Sequence, residues 1–159
     1  MNDLMNLSNS LQLNQVSAQL ELSCQTARSY GFVLTQEQQQ RLLLHRFQDL
    51  RATGRMEFGE GILSKLILTF CDSPYLHPTE YEQTLTQLQT LFYHFKGECM
   101  DRLTDDGLLS AMRLVFDQAA RGDLDFLANV DPNVLYHAAQ TGTLAGTSLE
   151  DEALFEYGD

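Results

Sequence analysis

Apolar residues recur at spacings of three and four along the chain, the period that gathers them on one face of a helix, so the texture is helical throughout. Val16, Leu20, Cys24 and Ala27 make a first stripe, and Gly31 stands where a left-handed C-terminal cap belongs, predicting a helix that ends near Tyr30. Thr35, Gln36, Glu37 and Gln38 then match a capping box, in which the Thr hydroxyl and the Gln side chain each satisfy an orphaned backbone N–H. In the helix that follows, Leu43, Phe47 and Leu50 are expected to point inward and Gln39, Arg46 and Asp49 to face water, until Gly54 stops it. Ile62, Leu63, Leu66, Ile67 and Phe70 form the most apolar segment, with Lys65 as its only charge, and read as the central core helix. Pro74 and Pro78 forbid its continuation through Cys71–His77, because proline lacks the N–H and disfavours helical geometry in the residue before it. Thr79 is placed to cap a further helix whose buried face is Leu85, Leu88, Leu91, Phe92 and Phe95 and whose end falls near Lys96 and Gly97.

The second half is punctuated in the same way. Thr104 supplies a capping hydroxyl, and Asp105 and Asp106 add negative charge where the helix dipole favours anions by roughly 0.3–1 kcal/mol each. Leu108, Leu109, Met112, Val115, Phe116 and Ala119 face inward, Arg121 complements the C-terminal dipole, and Gly122 ends the helix. Asp123–Ala128 adds a short helical turn, and Asp131 followed by Pro132 restarts a helix that runs to Gly142. Beyond Thr143 there are five acids and no bases, a composition expected of a flexible tail. The predicted fold is all-α: one domain of five to seven helices over residues 1–143, its first residues mobile, packed orthogonally or as an irregular bundle, with residues 144–159 as an acidic tail.

Composition narrows the function classes. A chain of 159 residues with 43% hydrophobic and 20% charged residues is an ordinary folded domain. Asp3 stands where a signal peptide needs positive charge, and no apolar run approaches the ~18 residues of a membrane span, so a cytoplasmic protein without a membrane segment is expected. Cys24, Cys71 and Cys99 are an odd count without a CxxC, which fits buried, reduced thiols. Of the 22 acids, 13 follow Gly97 against three bases, Arg102, Arg113 and Arg121, giving the last 62 residues a formal −10. Such a surface repels phosphate and speaks against nucleic acid, whose binding rests on neutralising phosphates with Lys and Arg. Only Arg41, Arg46, Arg51 and Arg55 could form a basic stripe, and these could equally dock on the acidic half of another copy, which leaves homo-oligomerisation open.

The string Gly54-Arg55-Met56-Glu57-Phe58-Gly59-Glu60-Gly61-Ile62-Leu63, with Phe70-Cys71-Asp72-Ser73-Pro74-Tyr75, Phe92–Lys96, Leu103–Leu109 and Gly122–Leu127, resembles a family of small bacterial (Firmicutes-type) helical proteins of unknown function. The resemblance spans roughly residues 30–130 and implies a bacterial cytosolic protein. It implies no activity, cofactor, partner or site residue.

Motifs for chemistry are few. The four histidines His45, His77, His94 and His137 include no i,i+4 pair, and neither HExxH nor a zinc-deaminase pattern occurs. Cys71 and His77 are the weak metal candidates, as thiolate and imidazole suit zinc. An EF-hand loop started at Asp101 meets Leu103 at position three and Met112 at twelve, and one started at Asp123 meets Leu127 at five, so neither fits calcium. No nucleophile elbow, Walker loop or dinucleotide fingerprint is present, and Cys71 sits at a helix C-terminus, a setting that opposes a reactive thiolate.

The least ordinary cluster is Arg55, Glu57, Glu60, Asp72 and Tyr75 on the two loops flanking Ile62–Phe70; such a helix spans about 15 Å, so the two loops belong at opposite ends. The expected role of Arg55 is to pair a carboxylate and fix its loop, with a ligand site as the sharper alternative. The reading of the whole is a non-enzymatic interaction or regulatory module that offers its acidic C-terminal surface to a protein partner of basic character, with no cofactor. Leu149, Leu154, Phe155 and Tyr157 in the tail are the partner-binding candidates. The alternative is a small-molecule or metal-dependent enzyme whose site is assembled between distant helices.

Overall fold

The computed structural model describes residues 18–59, 61–147 and 149. Among them the architecture is all-α, with seven helices and no strand. Helix α1 covers residues 18–28, followed by α2 (Gln36–Thr53) and α3 (Leu63–Phe70). A 3-10 turn at Pro78–Glu80 leads into α4 (Tyr81–Glu98), and α5 (Asp105–Leu114) runs directly into a π turn at Val115–Ala119. Short α6 (Leu124–Ala128) and α7 (Pro132–Thr141) complete the bundle.

Most boundaries follow from local chemistry. Thr35 and Gln38 make the reciprocal capping box of α2, with Gln38 N–H donating to Thr35 Oγ1 at 3.1 Å and Thr35 N–H to Gln38 Oε1 at 2.8 Å. Thr104, Asp123 and Asp131 each accept backbone N–H bonds at the starts of α5, α6 and α7. Thr79 does not cap a helix: it lies within the 3-10 turn, because Pro78 is already at the first helical position, and α4 begins without a side-chain cap. Helix α4 also carries Gly97 within it and ends at Glu98.

Helix α3 is the most thoroughly buried of the helices. Leu63, Leu66, Ile67 and Phe70 are buried, and α2, α4 and α5 all contact the helix, while α2 packs on α4 and α5 on α7. Burying four such side chains favours folding by roughly 6–12 kcal/mol of transfer free energy, an upper figure because the unfolded chain already hides some of that surface. Phe70 meets Phe116 edge to face at 5.4 Å, which joins α3 to the π turn.

Helix α2 corrects the sequence reading. Its buried face is Gln39, Leu42 and Leu50, whereas Phe47 is 56% exposed. The core accepts Gln39 because its amide donates to Leu34 O at 3.2 Å and to Glu21 Oε2 at 3.4 Å, so the polar group is satisfied as it is buried. Arg46 likewise turns inward, to Glu57, rather than to water.

The C-terminal end of α3 is held from a distance. Arg113 donates to Thr69 O and to Asp72, and its Nε donates to Asp117 in the π turn, whose other oxygen accepts from the buried Ser73 hydroxyl at 2.7 Å. The π register is set by Ala120 N–H donating to Val115 O at 2.8 Å. Gly122, at φ +84°, lies against Tyr75, where a Cβ would come within 2.8 Å of the Tyr75 Cβ.

The Arg113 guanidinium holds the Asp72 carboxyl below its ordinary 3.8, chiefly by donating a hydrogen bond that favours the charged carboxylate. A carboxyl lowered in the folded state adds stability that is present above its unfolded pKa and is lost as pH falls through the folded value. Asp72→Asn is therefore expected to unfold at lower denaturant concentration than the wild type at neutral pH, with the gap closing as acid is taken below 3.8. Paired urea titrations across that range check it.

Candidate functional site

The loop after α2 folds inward at alternate residues. Arg55 and Glu57 turn toward the domain, while Met56 and Phe58 point outward and are 82% and 85% exposed. Arg55 pairs with Asp101 at 2.8 Å, which ties the loop to the connection between α4 and α5. Glu57 Oε1 accepts from Arg46 Nε at 3.0 Å and from the Tyr93 hydroxyl at 2.7 Å. Burial, and then the bond to Glu57, raise the Tyr93 phenol above its ordinary value, so it stays a protonated donor. Lys96 closes the far side, with Nζ 2.7 Å from Asp105 and 2.6 Å from the Leu103 carbonyl.

Arg55, Met56, Glu57, Phe92, Tyr93, Lys96 and Asp105 line a cavity of about 200 Å³. Its cations Arg55 and Lys96 are each bound to a carboxylate, and the third nearby guanidinium, that of Arg46, is spent on Glu57. The arrangement is a charge-compensated clamp on the loop. Asp101 explains itself in the same way: it and Met100 hold left-handed backbone at φ +58° and +54°, a conformation costing roughly 1–2 kcal/mol per non-glycine residue, and the Arg55 ion pair helps fix it. Arg55 also holds the Asp101 carboxyl below its usual range.

Of the five residues singled out on the flanking loops, only Arg55 and Glu57 share this cavity. Asp72 belongs to the Arg113 cluster and Tyr75 to the contact with Gly122, both at the other end of α3. Glu60 lies outside the described residues. Three partners that complete the clamp, Arg46, Tyr93 and Asp101, carried no one-dimensional signal, since each lies on a different element from the loop it holds.

Cys71 is buried with its thiol directed at the Leu68 carbonyl at 3.6 Å, whereas His77 is exposed. Burial first, and neighbouring Asp72 second, raise the Cys71 thiol; burial raises Cys24 to about 11 and also raises Cys99. Among the described residues, no three His, Cys, Asp or Glu side chains come together to hold a metal ion. No helix among them is long and apolar enough to cross a membrane.

A larger concavity lies in the acidic C-terminal third. Asp123, Asp125, Phe126, Asn129, Val130, Asp131, Val134 and Leu149 surround about 510 Å³. Val130, Val134 and Leu149 are buried and Phe126 partly so, giving an apolar floor, while the three aspartates are exposed at its rim. Leu144 and Leu149 belong to the buried core, so the start of the acidic segment is packed on the domain. Leu154, Phe155 and Tyr157 lie outside the described residues.

The chain belongs to a family of unknown function, DUF6323, which matches residues 19–144. No curated protein and no solved structure matches it.

Gly61 gives the clamp a sharp test. It sits at φ +61°, and a Cβ there would overlap the Glu57 carboxylate and press on the Arg46 guanidinium, whereas a Cβ at Gly59, also left-handed, meets open space. Gly59→Ala is expected to cost the backbone penalty of about 1–2 kcal/mol, and Gly61→Ala about 1 kcal/mol or more beyond it. In a Glu57→Ala background, where the carboxylate is gone and the Arg46 guanidinium is released from it, most of that excess should disappear. Denaturant unfolding of the four variants measures both quantities.

Proposed function

We propose that the protein is an interaction module whose acidic C-terminal groove docks a basic, amphipathic segment of a protein partner. The observation that supports this reading is the pairing of chemistries in one concavity: an apolar floor of Phe126, Val130, Val134 and Leu149 under exposed Asp123, Asp125 and Asp131. Apolar side chains of a bound segment would supply affinity by leaving water, and its Lys or Arg residues would meet the aspartates, chiefly setting encounter rate and specificity. The wider field favours the same class of partner, because the last 62 residues carry thirteen acids and three bases. The groove is built between helix starts, so a docked segment would meet rigid elements.

Asp123 and Asp131 also cap α6 and α7, and asparagine caps a helix about as well as aspartate. Asp123→Asn/Asp125→Asn/Asp131→Asn therefore removes the charge and keeps the fold. Titrating a fluorescent Lys- and Leu-rich amphipathic peptide into the intact protein should give salt-sensitive binding that weakens by roughly tenfold in the triple variant, three rim charges at a few tenths to 1 kcal/mol each. No binding of that peptide at low salt, or equal binding by both proteins, would refute the proposal.

A further inference from the structure

Helix α2 carries a second stripe that the fold leaves uncovered. Glu37, Gln40, Leu44, Phe47 and Arg51 are all exposed and recur at three, four, three and four, the spacing of a coiled-coil seam. Leu44 and Phe47 at its middle are 58% and 56% exposed. The other sides of α2 are engaged: Gln39, Leu42 and Leu50 are buried, and the flank of Arg41, His45 and Asp49 meets α4 through Glu82 and Thr90. Scattered single apolar residues are normal on a protein surface, but a helical face with apolar residues at its centre and opposite charges at its ends is organised.

Those end charges select the occupant. Arg41, Arg46 and Arg55 are consumed within the chain by Glu82, Glu57 and Asp101, so the four arginines do not make a basic stripe. Arg51 and Glu37 form no ion pair among the described residues. They lie at equal sequence distance on either side of Leu44, about 21 Å apart along the helix.

We infer that this face is the interface with a second copy of the chain, α2 packing antiparallel on its two-fold mate. Centred on Leu44, that pairing sets Glu37 of each copy against Arg51 of the other and closes Leu44 and Phe47 of both copies between the two ion pairs. A parallel pairing would set Glu37 against Glu37 and Arg51 against Arg51, and like charges opposed across an interface are unfavourable. The antiparallel contact is self-complementary, so it closes at a dimer rather than propagating. One helix per side makes a small interface, and the dimer is accordingly concentration-dependent. This surface is separate from the acidic groove, and neither proposal depends on the other.

Sedimentation velocity of the intact protein in low-salt buffer, from about 10 μM to about 1 mM, tests it, with circular dichroism verifying that each surface variant remains folded. A monomer–dimer equilibrium is expected, lost in Leu44→Glu. Arg51→Glu and Glu37→Arg should each raise the dissociation constant about tenfold, and the double variant Glu37→Arg/Arg51→Glu should return it to within about threefold of wild type. A monomer throughout the range, or a dimer untouched by Leu44→Glu, overturns the interface. Two weakened single variants without rescue in the double variant overturn the antiparallel register.

Discussion

The burial of α3 is the constraint from which the rest of the arrangement follows. Eight residues put Leu63, Leu66, Ile67 and Phe70 out of water against α2, α4 and α5, yet the helix has no side-chain cap at its start and no charged residue of its own to complement its dipole. Its N-cap is Ile62, which offers no side-chain bond, and there is neither an acid in its first turn nor a base in its last. A short helix without caps is marginal by itself, so tertiary contacts must supply what the local sequence omits.

Two arginine-centred clusters do so. At the approach to α3, Arg46 and Tyr93 fix Glu57 while Arg55 reaches Asp101; at its exit, Arg113 takes the Thr69 carbonyl and gathers Asp72 and Asp117. Each places charge at a half-buried position, where an unmatched partner would be costly, and each is compensated within the domain. Several acids that look unassigned in one dimension are thereby accounted for. Asp101 and Asp117 are ion-pair partners, and Asp123 is a cap. Among the described residues after Asp117, the acids are Asp123, Asp125 and Asp131, all exposed at the groove rim.

The legible parts of the chain were those fixed by neighbours in sequence. The caps at Thr35, Thr104 and Asp131, the stops at Gly54 and Gly142 and the apolar run of α3 all depend on residues within a turn of one another, and the structure has them. Phe47 defeated the reading because α2 carries two overlapping stripes, and periodicity alone does not say which one the core takes. Gln39 and Arg46 were misplaced because burial of a polar side chain depends on partners that arrive from elsewhere, Leu34 and Glu21 for one and Glu57 for the other. The π turn at Val115–Ala119 has no sequence signal: the same apolar spacing serves an α-helix, and Asp117 enters its cluster only through the fold. The loops flanking α3 fall at its opposite ends, as helix length alone requires, with Asp72 in the Arg113 cluster and Arg55 and Glu57 in the clamp.

Native-state hydrogen exchange of α3 tests this account most directly. The amides of Leu66 through Phe70 should exchange only by global unfolding, with a free energy equal to the stability of the whole domain, and Arg113→Met should lower both together. Exchange from α3 that is faster than from α2 or α7, through a local opening that leaves the domain folded, would contradict the claim that the rest of the structure depends on its burial.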